Sequence, residues 1–348
     1  MTQMDEFTTV SKQENMKTNN TSLNGKLLRW RHRLGRVVLP NSPSSSSIPF
    51  AEYLKWIAYT NFTPSYPLSI DIQTKSGCNA RCSFCGVGRE TNKLHGTMSD
   101  ELFQKIIDEV MGYPHLLRLD PYLLNDPLVD KKMPQRLEYI ARKKNKRSLP
   151  KVRITTNAGL LTEEMGYQLL QSEGLDEINF SFHSIIPEVY EKMMAPLKFE
   201  RVMGNIIRFK EMWDRYKGKK PKLTVWTVKT LPVIQNLKNE KTYWKKLGIG
   251  FKARKLDNRA NEDVEKQGFA DREFVRVPFC VIPFWRAWIM WNGDMIMCCV
   301  DQERTNVLGN CQNRSVREVW NDPGYRELRQ RWRTKELDGL LCNECKGT

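Results

Sequence analysis

From Leu68 onward, short apolar runs alternate with longer stretches whose apolar residues recur at helical spacing. LSIDIQT opens the series as a strand. Ser99 is placed to cap the next helix, with Asp100 and Glu101 in its first turn and Leu102, Phe103, Ile106, Ile107, Val110 and Met111 on its buried face. LLRLD (Leu116–Asp120) precedes a helix through Leu137–Lys144. KVRITTN (Lys151–Asn157) precedes a helix capped by Thr162 and closed by Gly174. EINFSFH (Glu177–His183) precedes helical pieces that reach about Tyr216, KLTVWTV (Lys222–Val228) precedes a helix at Lys241–Lys246, and IGFKARKL (Ile249–Leu256) ends the series. Six such repeats predict an α/β fold, a parallel sheet with helices outside it. Right-handed crossovers curl such a sheet into a barrel or partial barrel, whose chemistry collects at the C-terminal ends of the strands.

The flanks differ from this series. Residues 1 to about 25 are polar and aperiodic, which predicts disorder. The segment LLRWRHRLGRVVLP interleaves Leu27, Leu28 and Trp30 with arginines and reads as a short amphipathic element. Asn41–Pro49 has linker composition, and Phe50–Thr60 has apolar residues at helical spacing. The last seventy residues are rich in Trp, Cys and Arg. Within them WIMWNGDMIMCC predicts a β-hairpin at Asn292-Gly293, in what reads as a separate small domain.

The length of 348 residues and a hydrophobic content of 40% allow one large domain with a smaller attachment. No run of apolar residues is long enough to cross a membrane, and the polar N-terminus lacks a secretory h-region, so a cytoplasmic location is expected. The net charge of +16 favours an acidic partner, or a phosphorylated or nucleotide-linked small molecule. The basic residues are spread along the chain with no nucleic-acid module among them, so nucleic acid is not the expected substrate.

Nine cysteines, an odd number and clustered, argue for metal rather than for disulfides. The first cluster is SGCNARCSFCGVG, with Cys78, Cys82 and Cys85 spaced C-x3-C-x2-C on the loop after the first strand. Zinc wants four ligands, and no fourth Cys or His follows until His95. Three thiolates on one short loop instead suit three irons of a cubane, leaving the fourth iron open to a small molecule. In the tail, Cys280 and Cys298 stand eighteen positions apart and Cys342-x2-Cys345 closes the chain. Four thiolates make a fully ligated site that fits either zinc or a [4Fe–4S] cluster.

CNARCSFC resembles the signature of the radical S-adenosylmethionine (SAM) superfamily, over roughly Leu68–Leu256. The resemblance implies a partial (βα)6 barrel, a [4Fe–4S] cluster on Cys78, Cys82 and Cys85, and SAM chelated to its open iron. It places Phe84 near the adenine. The family's Gly-Gly-Glu-Pro segment, which contacts the amino group of SAM, is replaced here by Leu124-Asn125-Asp126-Pro127: the glycines are absent and Asp126 stands for the glutamate. Ser181, ending the fourth strand, is a candidate contact to the methionine part of SAM, and Asn157, ending the third, a candidate lining residue. LGNCQNRSVREVWNDPGYRELRQ followed by CNEC is similar to the family's short SPASM or twitch domain. That similarity implies one auxiliary [4Fe–4S] cluster on Cys280, Cys298, Cys342 and Cys345. The implied organisation is an N-terminal extension over 1–65, the radical SAM barrel over 66–260 and the twitch domain over 270–348.

Cys311 and Cys299 remain. Cys311, after the Gly309-Asn310 turn, reads as a small residue in a loop. Cys299 adjoins the ligand Cys298 and is a candidate hydrogen donor to a substrate radical. The ranking that follows puts epimerisation of a carbohydrate or cyclitol first, with Cys299 as the catalytic donor, as in peptide and aminoglycoside epimerases of the family. Alcohol oxidation through the auxiliary cluster comes second, and epimerisation or crosslinking of a peptide third. A low-potential donor such as flavodoxin or ferredoxin is the expected partner besides the substrate. An iron–sulfur carrier or zinc-stabilised binding module is the non-enzyme alternative, and an open iron is of no use to either.

Overall fold

The computed structural model describes residues 58, 61–85, 95–144, 149–258, 268–270, 273 and 280–347, together with the backbone of the two-residue strands Arg36–Val37, Ile48–Pro49 and Val275–Arg276. The chain divides into two units, Met1–Lys55 and Trp56–Thr348. In the first, Arg36–Val37 pairs antiparallel with Ile48–Pro49. The disorder expected over residues 1 to 25, the amphipathic segment, the linker and most of the Phe50–Thr60 helix otherwise lie outside the described residues.

The second unit is built on six parallel strands: β1 (Ser69–Ile72), β2 (Arg118–Asp120), β3 (Lys151–Thr156), β4 (Glu177–Ser181), β5 (Lys222–Val228) and β6 (Gly250–Arg254). Each pairs in parallel with the next. Helices α1 (Asp100–Val110), α2 (Met133–Lys143), α3 (Glu163–Gln171), α4 (Pro187–Met193), α5 (Phe199–Arg215), α6 (Leu231–Ile234) and α7 (Leu237–Lys246) fill the crossovers. This is the α/β partial barrel the repeats predict. The helix starts follow the capping chemistry: Ser99 Oγ accepts from Leu102 N at 3.1 Å, and Thr162 Oγ1 from Met165 N at 3.1 Å. α1 buries Leu102, Phe103, Ile106, Ile107 and Val110 against the sheet, each contributing about 1.5–3 kcal/mol, while Met111 is half-buried.

The strands alternate between two buried environments. Ile70, Ile72, Leu119, Val152, Ile154, Ile178, Phe180, Leu223 and Val225 form the apolar layer under the helices. Asp71, Asp120, Arg153, Asn179 and Thr224 occupy the alternate positions, which face the lumen, and are buried polar residues. Side-chain period along a strand is two, so one face of every strand is free to carry charge as long as the lumen pairs it.

Gly174 does not close α3 in the expected way. The helix ends through Ser172, and the left-handed residue is Glu173, at φ +51°. Gly174 is needed for a different reason: a Cβ there would lie 2.2 Å from the carbonyl oxygen of Leu137 on α2.

The tail departs further from expectation. It was read as a separate domain, yet its hairpin continues the barrel's sheet. Strand β7 (Arg286–Ile289) runs parallel to β1, with Ala287 opposite Ile70, and the sheet order is β9-β8-β7-β1-β2-β3-β4-β5-β6 once β8 (Asp294–Ile296) and β9 (Val307–Asn310) are added. The Asn292-Gly293 turn is as expected, with Gly293 at φ +88°. An ionic clamp accompanies the strand pairing. Arg286 donates from Nη2 to both carboxylate oxygens of Asp71 (2.8 and 2.7 Å) and to Asp120 Oδ2 (3.2 Å), and from Nε to Asp71 (3.0 Å); Arg153 forks across both oxygens of Asp120 and shares Oδ2 with Arg286. Outside the sheet, Lys105 of α1 donates to the carbonyls of Cys311, Gln312 and Arg314 at 2.8–3.0 Å. Helices α8 (Val316–Trp320) and α9 (Pro323–Thr334) complete the tail, with the Arg329 guanidinium between the rings of Trp320 and Tyr325.

Two substitutions test this packing. Gly174→Ala forces a methyl group onto the Leu137 backbone and should destabilise the barrel by about 1–3 kcal/mol, read as a lower urea midpoint at unchanged slope. Arg286→Met leaves Asp71 and Asp120 buried with half their countercharge, and should cost about 3–5 kcal/mol in the same measurement.

Candidate functional site

A cavity of about 350 Å³ opens at the C-terminal mouth of the six strands, within the size range of a small-molecule site. Cys78, Cys82, Cys85, Phe84, Asn125, Asp126, Asn157, Ser181 and Cys299 all line it. The fold thus brings the first cysteine cluster, every candidate SAM contact and the candidate hydrogen donor to one place.

The cysteine loop is held by the residues that follow β2 and β3. Asn125 donates from Nδ2 to the carbonyl of Lys75 at 2.7 Å and accepts from Leu123 N at 2.9 Å. Asp126 N donates to the carbonyl of Gly77 at 3.3 Å. The buried Asp126 carboxylate accepts from Leu128 N (2.9 Å), Asn157 N (2.7 Å) and Thr156 Oγ1 (3.0 Å), and burial pushes its pKa up. Asn157 Nδ2 in turn donates to Asn79 Oδ1 at 2.8 Å and to the Cys78 sulfur at 3.6 Å. Asn157 therefore does more than line the pocket, because a donor to the Cys78 sulfur would orient it and tune anything it bound. Leu124 adopts φ +50°, the left-handed conformation that glycine takes without cost, in the segment where the family has its glycines. The substitution keeps the turn at a cost of about 1–3 kcal/mol.

As thiolates, the three cysteines gathered here would need countercharge. Burial pushes Cys78 up to about 12 and Cys82 well above the usual thiol range, and the neighbouring cysteines and Asp126 raise both further. A cationic iron–sulfur centre supplies what the surrounding side chains do not. Among the described residues no three His, Cys, Asp or Glu side chains meet at the distances a single metal ion needs. The fit with a multi-atom cluster rests on the all-thiol donor set.

Phe84 is buried and packs edge-on against His183, ring centroids 4.7 Å apart. Burial pushes the His183 pKa down to about 3, and its Nδ1 accepts from Val228 N at 3.2 Å, so the ring is neutral and carries its proton on Nε2. Neither His183 nor the charged lumen residues of the cavity (Asp71, Arg153, Arg254 and Arg286) were singled out from the sequence. A signal existed: polar residues recur at every second position of the strands, as in Ser69, Asp71 and Gln73.

Cys280, Cys298, Cys342 and Cys345 gather on the tail. Burial pushes Cys280 up to about 12, with Cys342, Cys345 and Cys299 adding to the shift, while Cys299 and burial raise Cys298 well above the usual range. Trp332 donates from Nε1 to the Cys342 sulfur at 3.2 Å. Asn258, just past β6, fixes the Cys342–Cys345 turn by donating to the carbonyl of Glu344 (2.9 Å) and accepting from Lys346 N (2.8 Å). Cys299 hydrogen-bonds Cys298 yet lines the barrel cavity, so adjacent residues of one strand end serve two environments. Cys311, expected as a small loop residue, is fully buried in the core.

Comparison with known proteins agrees with this geometry. Residues 72–219 match the family model described as radical SAM superfamily, and residues 280–346 match that of an iron–sulfur cluster-binding domain, SPASM. No curated relative matches the chain. Among solved structures, BtrN in complex with AdoMet and 2-DOIA is similar at 17% identity and a TM-score of 0.53, covering 80% of this chain and 92% of BtrN. Streptococcus suis SuiB bound to the precursor peptide SuiA is similar at 17% identity and TM-score 0.60, covering 88% and 77%. Native anSMEcpe with bound AdoMet gives 16% identity and TM-score 0.56, covering 75% and 82%. At these identities the likeness speaks for the fold, and the two family models, matched to the barrel and to the four-cysteine tail, make this chain a member of the radical SAM superfamily with a C-terminal SPASM-type iron–sulfur domain.

Proposed function

We propose that this radical SAM enzyme epimerises a carbon centre of a carbohydrate- or cyclitol-type molecule. The observation that carries the reading is the place of Cys299, which reaches the barrel cavity from the tail while the cysteine loop reaches it from the end of β1. In this reading Cys78, Cys82 and Cys85 hold the cluster that binds SAM, and Cys280, Cys298, Cys342 and Cys345 hold one auxiliary [4Fe–4S] cluster. Residues 66–260 form the catalytic barrel, 270–348 the twitch domain and 1–65 an extension. The bound cluster and SAM supply a 5′-deoxyadenosyl radical, which removes a hydrogen atom from the substrate.

Phe84, backed by the neutral His183, offers an apolar wall suited to the adenine. Asn125 and Asp126 fix the loop and line the part of the cavity that would take the amino group of SAM, with Ser181 on the methionine side. Cys299 then gives its hydrogen atom to the substrate radical: the S–H bond breaks, a C–H bond forms on the other face of the carbon, and a sulfur radical remains on Cys299. One electron from a flavodoxin- or ferredoxin-type donor and one proton from solvent restore the thiol.

A second reading is oxidation of an alcohol, favoured by the contact between Cys299 and the auxiliary ligand Cys298. An electron leaving the substrate radical has a short route to that cluster. The fold likeness to BtrN, solved with AdoMet and 2-DOIA, supports a small polar substrate. The likeness to SuiB, solved with its precursor peptide, keeps a peptide as the third reading.

The deciding experiment uses anaerobically reconstituted enzyme, SAM and dithionite in deuterated water. With candidate sugars, cyclitols and peptides, 5′-deoxyadenosine and product mass are followed together. Epimerisation predicts 5′-deoxyadenosine and a product one dalton heavier; a product two daltons lighter would replace it with the oxidation reading. Cys299→Ala should abolish the epimerised product while 5′-deoxyadenosine still forms. Normal product from that variant would sink the epimerase assignment.

A further inference from the structure

The guanidinium groups of the barrel lumen are not all paired with carboxylates among the described residues. Arg286 and Arg153 are saturated by Asp71 and Asp120, in the network described above. Arg254, at the C-terminal end of β6, lines the same cavity and stands outside that network. Its guanidinium carbon stands over the Trp226 ring, 3.5 Å from the centroid, and the residue as a whole is exposed. Among the described residues no carboxylate pairs with it. The groups that act on it are the cations Arg153, Arg286 and Arg118, and the hydroxyl of Tyr122. Burial and those cations push its pKa down to about 10, the mark of a charge without compensation. Beside it, the Trp226 indole N–H is shielded from solvent and has no acceptor among the described residues, though its ring lines the cavity.

A stacked guanidinium presents its N–H fork edgewise and in a fixed orientation, which suits a planar or tetrahedral oxyanion. Held on an aromatic ring, the fork loses little conformational freedom on binding. The hydroxyls of a neutral sugar bring no countercharge to the guanidinium.

We infer that Arg254, with Trp226 as its platform, is a specificity residue that binds an anionic oxygen group of the substrate, a phosphate or a carboxylate. This deepens the proposed function and rests on the same cavity: the molecule acted on is an anionic sugar, cyclitol or peptide side chain, anchored at β6 while the reacting carbon faces the cysteine loop. The acid that would otherwise neutralise Arg254 is then supplied by the substrate.

The test is calorimetric titration of the anaerobic holoenzyme, with and without SAM, using inorganic phosphate in one arm and acetate in the other. Wild-type protein should bind one of them saturably with SAM in place, and the tighter arm names the group. Arg254→Gln should weaken that binding roughly tenfold or more, the loss of a charge-assisted hydrogen bond, and Arg254→Lys should recover part of it. Arg326→Gln removes the same charge from the exposed face of α9 and should change nothing. Three results would overturn the inference: no saturable binding of either anion, equal affinity in Arg254→Gln, or one-for-one competition between the anion and SAM, which would give Arg254 to the carboxylate of SAM. The same preparation of wild-type enzyme is assayed for 5′-deoxyadenosine with SAM and dithionite. Its absence there would fault the radical reading and leave the anion result standing on its own.

Discussion

Arg286 is shared between two buried carboxylates that belong to different strands, and the tail strand that carries it is thereby tied to the barrel. Asp71 lies on β1 and Asp120 on β2, and both are nearly excluded from solvent. Ions so placed are tolerable only as a paired set, since each charge left alone would cost several kcal/mol. The hydrogen-bonded pairing of β7 with β1 and the salt bridges above it therefore enforce one another. With β7 fixed, the hairpin that follows delivers Cys299 to the cavity and Cys298 to the cysteines of the tail. The position of the candidate donor thiol thus depends on a clamp that takes no part in the chemistry proposed for it.

The cysteine loop shows the same dependence on remote strands. Its three cysteines lie within eight residues, but its shape is not set within them. Asn125 and Asp126 from the end of β2, and Asn157 from the end of β3, supply the hydrogen bonds that the loop backbone and Asn79 require. The turn at Leu124 retains the left-handed backbone without glycine, which shows that the geometry of this segment matters more than the residue that adopts it. Supporting contacts of this kind hold a site to within a fraction of an ångström.

A common barrel leaves the reaction open. The structures that share this fold were solved with ligands as different as 2-DOIA and a precursor peptide, so the choice of substrate lies in the side chains of the lumen. Here those are a paired set of ions plus Arg254 on Trp226. The overall charge of +16 pointed loosely to an acidic partner, and the lumen gives that excess one definite location.

Local chemistry could be read directly from the chain because it depends on neighbours in sequence. The capped helix starts at Ser99 and Thr162, the Asn292-Gly293 hairpin and the C-x3-C-x2-C loop each follow from short-range geometry, and the structure has them where the residues place them. The βα periodicity likewise determined the barrel, since each strand shows its buried apolar face in order. Three matters were out of reach for physical reasons. Gly174 looked like a helix terminator, and only the approach of Leu137 from another helix reveals the close contact it relieves. The tail looked independent, because parallel pairing between β7 and β1 joins residues more than two hundred positions apart and leaves no local trace. The lumen ions looked like ordinary polar positions of alternating strands. Which acid meets which guanidinium, and that Arg254 meets none among the described residues, is decided by curling the sheet until six strands face one another across a common interior.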